Sequence, residues 1–169
     1  NFSEVDVNLN NNLNIFIGDN AQGKTNLLES IYISSIGRTF RMNKEEDLIK
    51  FGNKRSAVNI LIDKNDYLKK ITVELEKNKK KIVKINNIKL DKNSEIIGIL
   101  NNVIFTPDDL KLIKGSPSER RKLLNIVISQ IKPNYKYLLK NYKKVIIQRN
   151  NILRNLNNNN GNKELLYIW

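Results

Sequence analysis

The 169-residue chain contains neither cysteine nor histidine. Their absence excludes thiolate nucleophiles, imidazole bases, Ser-His-Asp triads, disulfide bonds and zinc sites built from Cys and His. Any chemistry must therefore use Lys, Arg, carboxylates, hydroxyls, backbone amides or a hard metal ion bound by oxygen. The remaining composition, 40% hydrophobic and 28% charged with seven Gly and three Pro, is typical of a globular protein.

Long apolar runs are also missing. No run approaches the roughly 18 residues of a membrane-spanning helix, and no signal peptide opens the chain. We therefore expect a cytoplasmic protein without a membrane partner. The chain starts at Asn1 rather than at Met and stops in the apolar stretch Leu165–Trp169, and we interpret it as a segment of a longer protein.

Acidic residues are scarce in the last third of the chain. Thirty Lys and Arg against 17 acids give a net charge of +13. Residues 1–60 are neutral overall and residues 61–110 carry +2, whereas residues 111–169, with thirteen basic and two acidic side chains, carry +11. Codon bias would spread the excess evenly, so this concentration favours an anionic partner such as nucleic acid. A merely solvated basic face is the alternative.

The spacing of apolar residues predicts both strands and helices. Buried strands are expected at Leu13–Ile17 and Asn102–Thr106, and an antiparallel meander at residues 57–62, 67–76 and 81–90. A first helix is expected from Thr25 to a stop at Gly37.

Further helices are predicted in the second half. Thr106 is a candidate cap for a short helix that starts at Pro107. The segment Ser116-Pro117-Ser118-Glu119 is a capping box with proline at the first helical position, and its helix should reach about Gln130. A last helix is predicted from Pro133 to about Asn155, followed by an Asn-rich spacer at residues 157–161.

The segment with the clearest chemistry fits the phosphate-loop pattern G-x-x-x-x-G-K-[ST], and its residues are Gly18, Asp19, Asn20, Ala21, Gln22, Gly23, Lys24 and Thr25. The strand predicted before it and the helix predicted after it are the context that this motif requires. The glycines allow positive φ and a close approach of the backbone to phosphate, and the loop amides converge at the positive end of the helix. Lys24 would bind the β- and γ-phosphates, and the Thr25 hydroxyl would bind Mg²⁺.

Hydrolysis would need more than this loop, because an acid must orient Mg²⁺ and another group must position water. Asp63, at the end of an apolar run, is a weak candidate for the metal acid. Asp108 and Asp109 are two others, although acids in the first turn of a helix commonly complement its dipole instead.

Several blocks together resemble the RecF family of bacterial recombination mediators, which are ATPases related to the SMC and Rad50 proteins. The resemblance is carried by residues 20–32, by Gly37-Arg38-Thr39-Phe40-Arg41, by residues 103–110 with 114–117 and 120–121, and by residues 130–142 with 148–150. The Gly-Arg-Thr-Phe-Arg and Pro-Asp-Asp-Leu blocks are far more specific than the phosphate loop, which many families share.

The resemblance implies an α/β fold, an ABC-type P-loop head, in which residues 1–112 form lobe I with an antiparallel β-subdomain and residues 113–169 begin a basic helical lobe II. It also implies ATP and Mg²⁺ as cofactors, with ATP joining two heads into a homodimer. Family members bind single- and double-stranded DNA, favour gaps, and work with RecO and RecR to load RecA in DNA repair, replication and the SOS response.

The chain also departs from the family pattern. The family's signature motif and Walker B acids would lie beyond Trp169, its first strand would precede Asn1, and no Gln follows the strand predicted at residues 102–106. We therefore expect the chain to contain no catalytic residue and to bind ATP without efficient turnover.

The candidate DNA contacts are basic side chains outside the phosphate loop: Arg38, Arg41, Arg120, Arg121, Lys122, Lys143, Lys144 and Arg149, with Arg154 continuing the series. For the first two, a surface salt bridge is an equal alternative, and for the others a solvated helix face is. Tyr135 and Tyr142 are expected in the core rather than stacked on bases.

Two other classes of function remain open from the sequence. A small P-loop kinase would need a metal acid, an acceptor pocket and an Arg-rich lid, whereas the basic helices contain few Arg, the middle of the chain is predicted to be a β-meander and no acceptor site is evident. A basic DNA-binding module with a vestigial phosphate loop would bind DNA independently of nucleotide.

Overall fold

The computed structural model describes residues 2–41, 45–64 and 67–157. The chain divides between Gly115 and Ser116 into two compact units. Within the described residues, the first unit contains an antiparallel sheet and two α-helices, and the second consists of helices.

The sheet of the first unit is a four-stranded meander. Its strands are β1 (Arg55–Lys64), β2 (Tyr67–Glu76), β3 (Ile82–Ile85) and β4 (Ile88–Lys89), each antiparallel to the next in the order β1-β2-β3-β4. Val58 lies opposite Val73, which in turn lies opposite Val83, so one face of the sheet is apolar. The predicted antiparallel meander is confirmed.

The prediction of a single strand at residues 81–90 was wrong. Asn86 and Asn87 have φ angles of 49° and 68° and reverse the chain between β3 and β4. Two successive residues with positive φ form the turn that suits the twist of a hairpin, and asparagine tolerates this conformation well. Asn86 also accepts a hydrogen bond from the amide of Lys70 through its side-chain oxygen, at 2.8 Å.

The predicted first helix is confirmed as α1 (Lys24–Ile36), which ends at Gly37 with φ 76°. It contacts β1 and β2. The core between them is an aliphatic cluster that also includes residues of two short 3₁₀ turns, Glu45–Leu48 and Asn93–Ile96, and of the segments beside them. The buried members of this cluster are Ile33, Ile49, Ile71, Val73, Leu75, Val83 and Ile96.

The two buried strands predicted outside the meander were wrong. Residues 13–17 and 102–106 form no strand, and large apolar side chains in both segments are exposed, with 74% for Leu13, 91% for Ile17 and 85% for Val103. A buried strand needs hydrogen-bonding neighbours on both sides. Within the described ranges, no strand lies beside either segment, because the sheet comprises only β1 to β4.

The segment after residue 106 is a 3₁₀ turn, Pro107–Leu110, followed by α2 (Lys111–Lys114). The second unit contains α3 (Pro117–Ile131) and α4 (Pro133–Asn157), which contact each other. The capping box predicted for α3 is confirmed, since the amide of Ser116 donates to a Glu119 carboxylate oxygen at 3.0 Å. Residues 158–161 of the predicted spacer lie outside the described residues.

None of the helices in the described ranges combines the length and the apolar composition that crossing a membrane would require.

Candidate nucleotide-binding site

The phosphate loop leads directly into α1. The side chain of Lys24, the first residue of α1, bonds to the start of the loop. The ammonium nitrogen of Lys24 lies 2.6 Å from the carbonyl oxygens of both Gly18 and Asp19. These two charge-assisted hydrogen bonds hold the cation at the start of the loop, six and five residues before its own position.

The N-terminus of α1 is open for an anion. Gly23 is the N-cap residue, with φ 99°, and no side chain caps the helix there. The first turn of α1 contains no acidic residue, so no carboxylate of its own neutralises the positive end of the helix dipole. Amides at such a terminus point at a bound phosphate.

The backbone of the loop differs in one detail from the expectation. Positive φ was expected at Gly18 and Gly23, but Gly18, at 159°, is nearly extended. Gly23, at 99°, has the expected positive φ, and Ala21 is a second left-handed residue, with φ 64°. A non-glycine residue in this region is strained by its Cβ atom, and such strain is often found in ligand-binding loops.

A metal ion would find few ligands here. Thr25 is exposed at the beginning of α1. The carboxylate of Asp109 is engaged within its own turn, because it accepts a hydrogen bond from the Thr106 hydroxyl at 2.8 Å. Asp63 is exposed on β1, opposite Leu68, and the side chain of Asp108 lies outside the described residues. Within the described ranges, no three acidic side chains cluster in a way that could hold a metal.

Of the two arginines that follow α1, Arg41 contacts the first turn of this helix. Its guanidinium donates to the side-chain oxygen of Asn26 at 3.0 Å, and Asn26 directly follows Thr25. Arg38 is exposed and interacts with the phenol of Tyr32. Burial raises the pKa of Tyr32, the charge and hydrogen bond of Arg38 partly oppose this effect, and the charges of Glu29 and Asp109 add to it.

Sequence reasoning missed Glu29, the buried acid of this site. Its side chain is fully buried, and one carboxylate oxygen accepts the amide hydrogen of Phe40 at 2.9 Å. Its other oxygen, Oε2, has no hydrogen-bond partner in the described part of the chain. The signal in the sequence was a lone acid within an otherwise uncharged stretch of helix, Asn26–Ile36.

The remaining basic candidates lie in the second unit. Arg120, Arg121 and Lys122 are exposed on the first turns of α3, and Lys143, Lys144, Arg149 and Arg154 are exposed on α4. Tyr135 is half-buried and donates to the Asn125 side chain at 2.6 Å, as expected for a core position. The core placement predicted for Tyr142 was wrong, since this side chain is 63% exposed.

Comparison with known proteins gives a consistent result. No family model matches the chain. Among curated proteins, the DNA replication and repair protein RecF of Clostridium novyi is 47% identical over 159 residues, which cover 94% of this chain and 44% of the relative. RecF of Halothermothrix orenii is 42% identical over 170 residues, which cover 100% of this chain and 45% of the relative.

Solved structures agree with these relatives. A structure of the recombination mediator protein RecF-ATPrS in the RecFOR pathway matches with a TM-score of 0.78 and 41% identity, covering 89% of this chain and 41% of that one. A structure from work on SMC ATPases matches with a TM-score of 0.54 at 24% identity, covering 70% of this chain and 86% of that one, and this likeness concerns the fold alone.

The resemblance noted in the sequence is thus confirmed by relatives that match nearly the whole chain. The chain spans less than half the length of the curated relatives it matches. In sequence the chain is similar to RecF proteins over nearly its whole length, and its fold is the α/β, ABC-type P-loop fold.

Proposed function

We propose that this chain is the nucleotide-binding part of a RecF-type recombination mediator, which binds ATP–Mg²⁺ and DNA. In this proposal, residues Gly18–Thr25 hold the phosphates, with Lys24 on the β- and γ-phosphates and the Thr25 hydroxyl on Mg²⁺. Residues 1–112 act as lobe I and residues 113–169 as the start of a helical lobe.

The observation that carries the proposal is the arrangement of the phosphate loop at the uncapped N-terminus of α1. The Lys24 ammonium lies across the start of the loop, bonded to backbone oxygens. Phosphate oxygens would offer it stronger, charged acceptors at the positive end of the helix.

DNA binding is proposed for the exposed basic residues of α3 and α4. Within the described residues of these two helices, Glu119 is the only acid, and its carboxylate is engaged at the helix cap. Such a surface would contact phosphates without reading the base sequence. Arg38 and Arg41 are the candidates for contacts near the nucleotide.

The proposed cellular role follows from the family. Relatives are named as DNA replication and repair proteins, and solved structures are described in the RecFOR pathway. We propose that the protein containing this chain forms an ATP-dependent homodimer, binds gapped DNA with RecO and RecR, and supports RecA loading in the cytoplasm and in the SOS response. Turnover of ATP is expected to be weak and to need residues other than those of this chain.

The test is a titration of a fluorescent ATP analogue with Mg²⁺, made on the chain and on its Lys24→Ala variant. Saturable binding by the parent and its loss in the variant are expected. Lys122→Ala, a substitution of an exposed lysine on α3, is the matched control and should bind like the parent. Equal binding by parent and Lys24→Ala would contradict the nucleotide site.

A second titration separates the remaining alternatives. Gapped DNA is added with and without ATP to the protein that contains this chain. Binding that responds to ATP supports the mediator function, whereas identical binding would indicate a basic module with a vestigial phosphate loop. Transfer of phosphate to a small metabolite in place of DNA binding would indicate a kinase.

A further inference from the structure

The buried position of Glu29 is energetically unfavourable for a carboxylate. It is the only acid of α1 and is 0% exposed, so its carboxylate has lost its water on folding. A buried carboxylate destabilises a fold unless hydrogen bonds and opposite charge compensate it. The amide of Phe40 satisfies one oxygen, while Oε2 has no partner within the described ranges. Stability alone would favour an apolar residue here.

The group that Glu29 holds is the segment Arg38–Arg41, which we call the arginine loop. Three side chains of α1 bind this loop. Glu29 accepts the Phe40 amide at 2.9 Å, and the rings of Tyr32 and Phe40 meet edge to face with centroids 5.3 Å apart. Asn26 accepts from the Arg41 guanidinium at 3.0 Å.

These three side chains are spaced three residues apart along α1, so they lie on successive turns of one side of the helix. The end of the series, Asn26, is next to Thr25 of the phosphate loop. The part-buried bond between Phe40 and the buried Glu29 is thus the inner attachment of the arginine loop, and the Arg41–Asn26 bond is the outer, exposed one.

We propose that Glu29 is a positioning residue, which fixes the arginine loop so that the Arg41 guanidinium stays beside the first turn of α1, where nucleotide phosphate would lie. The inference rests on the proposed nucleotide site and adds a residue that does not touch the ligand. Because energetic coupling is reciprocal, bound nucleotide must also stabilise the arginine loop.

The affinity test compares two substitutions of the same residue. Glu29→Gln keeps an oxygen that accepts the Phe40 amide, whereas Glu29→Ala removes it. We expect Kd for the ATP analogue to rise about tenfold in Glu29→Ala and to change less than about twofold in Glu29→Gln, where a tenfold change corresponds to about 1.4 kcal/mol. Glu95→Ala, which removes an exposed carboxylate in the Asn93–Ile96 turn, is the control and should have no effect.

A double-mutant cycle shows whether Glu29 acts through Arg41. Arg41→Gln alone should also weaken binding about tenfold, and its combination with Glu29→Ala should add little, because both changes remove the same guanidinium from the site. Independent, additive losses would overturn the proposal. Normal binding by a folded Glu29→Ala variant would overturn it as well.

Hydrogen exchange gives a readout that does not depend on the stability of the alanine variant. In the parent and in Glu29→Gln, nucleotide should slow exchange of the Phe40 amide and its neighbours in the arginine loop. Unchanged exchange in the parent on nucleotide binding would overturn the coupling. Equal nucleotide binding by the parent and Lys24→Ala would overturn both proposals, whereas a loss confined to Lys24→Ala would overturn only the role of Glu29.

Discussion

The ammonium nitrogen of Lys24 lies 2.6 Å from the carbonyl oxygen of Gly18, so the phosphate loop is closed by its own lysine. The same nitrogen bonds the carbonyl oxygen of Asp19. Lys24 therefore has a structural part in the loop in addition to its proposed contact with phosphate. The loop should depend on this residue even without nucleotide.

We predict that Lys24→Ala loosens the loop. Amides of residues 19–23 should exchange with solvent about tenfold faster than in the parent, which corresponds to a loss of about 1.4 kcal/mol of local stability. Hydrogen exchange of the chain without nucleotide measures this directly. Lys122→Ala should leave these amides unchanged, and the same result for Lys24→Ala would show that the two backbone bonds do not hold the loop.

Thr25 should matter only when Mg²⁺ is present. Thr25→Ala removes the hydroxyl that would bind the ion, so affinity for the ATP analogue should fall about tenfold in Mg²⁺, or about 1.4 kcal/mol. In EDTA, the parent and the variant should bind equally. Thr25→Ser retains the hydroxyl and should behave like the parent in both conditions. A loss of affinity of the same size in EDTA would mean that Thr25 supports the conformation of the loop and does not bind the metal.

Gly37 should be far less tolerant of alanine than Gly52. Both have positive φ, 76° and 86°, so alanine is strained at either position by about 1 kcal/mol. A Cβ atom at Gly37 would also lie 3.1 Å from the Asn93 carbonyl oxygen and 3.2 Å from Ile96 Cγ2, whereas Gly52 has open space.

Urea unfolding of the two alanine variants separates these effects. Gly52→Ala should lose about 1 kcal/mol, and Gly37→Ala about 1–3 kcal/mol more, as for other overpacked sites. Equal losses would mean that the Asn93–Ile96 turn moves away without cost.

Sequence prediction succeeded where a signal depends on neighbouring residues and failed where it depends on residues distant in the chain. The stop at Gly37 and the capping box at Ser116 depend on neighbouring residues, and both are present as predicted. The predicted strands at residues 13–17 and 102–106 depend on partners distant in sequence, and neither forms in the described chain. An apolar run indicates burial without identifying the neighbour that buries it.

The candidate site shows the same limit. The phosphate loop could be located because its pattern is contiguous. The contact of Arg41 with Asn26 spans 15 residues, and the contact of Glu29 with Phe40 spans 11, so neither follows from spacing along one element. The turn at Asn86 and Asn87 was missed for another reason. Apolar residues lie on both sides of it, and their pattern is also that of one continuous strand.

Burial of Tyr32 should make stability fall at alkaline pH. Burial is the main cause that raises its pKa above the ordinary value of 10.0, so the folded state retains the phenolic proton more strongly than the unfolded chain. The resulting stabilisation is complete below pH 10 and is lost as pH rises through the folded-state pKa.

Urea unfolding at pH 8 and at pH 10.5 to 11 (roughly the range where an ordinary tyrosine ionises) tests this. The parent should lose more unfolding free energy over this interval than Tyr32→Phe, which keeps the ring against Phe40. Tyr67→Phe is the control, since Tyr67 is 74% exposed. An identical pH dependence in the parent and Tyr32→Phe would exclude Tyr32 as the source.

The basic helices should reveal DNA contacts through salt dependence. Each lysine or arginine that neutralises a phosphate contributes about 0.9 to the slope of log K against log salt concentration for duplex DNA, and about 0.7 for single strands. Arg121→Gln on α3 and Lys144→Gln on α4 remove exposed charges, so each should lower the slope by about that amount and weaken binding to all sequences equally.

Lys79→Gln is the matched control, because Lys79 pairs with Glu76 at 2.8 Å in the first unit. If Lys79→Gln lowers the slope as much as the helix variants do, binding reflects total charge. An unchanged slope in both helix variants would place the DNA contacts elsewhere.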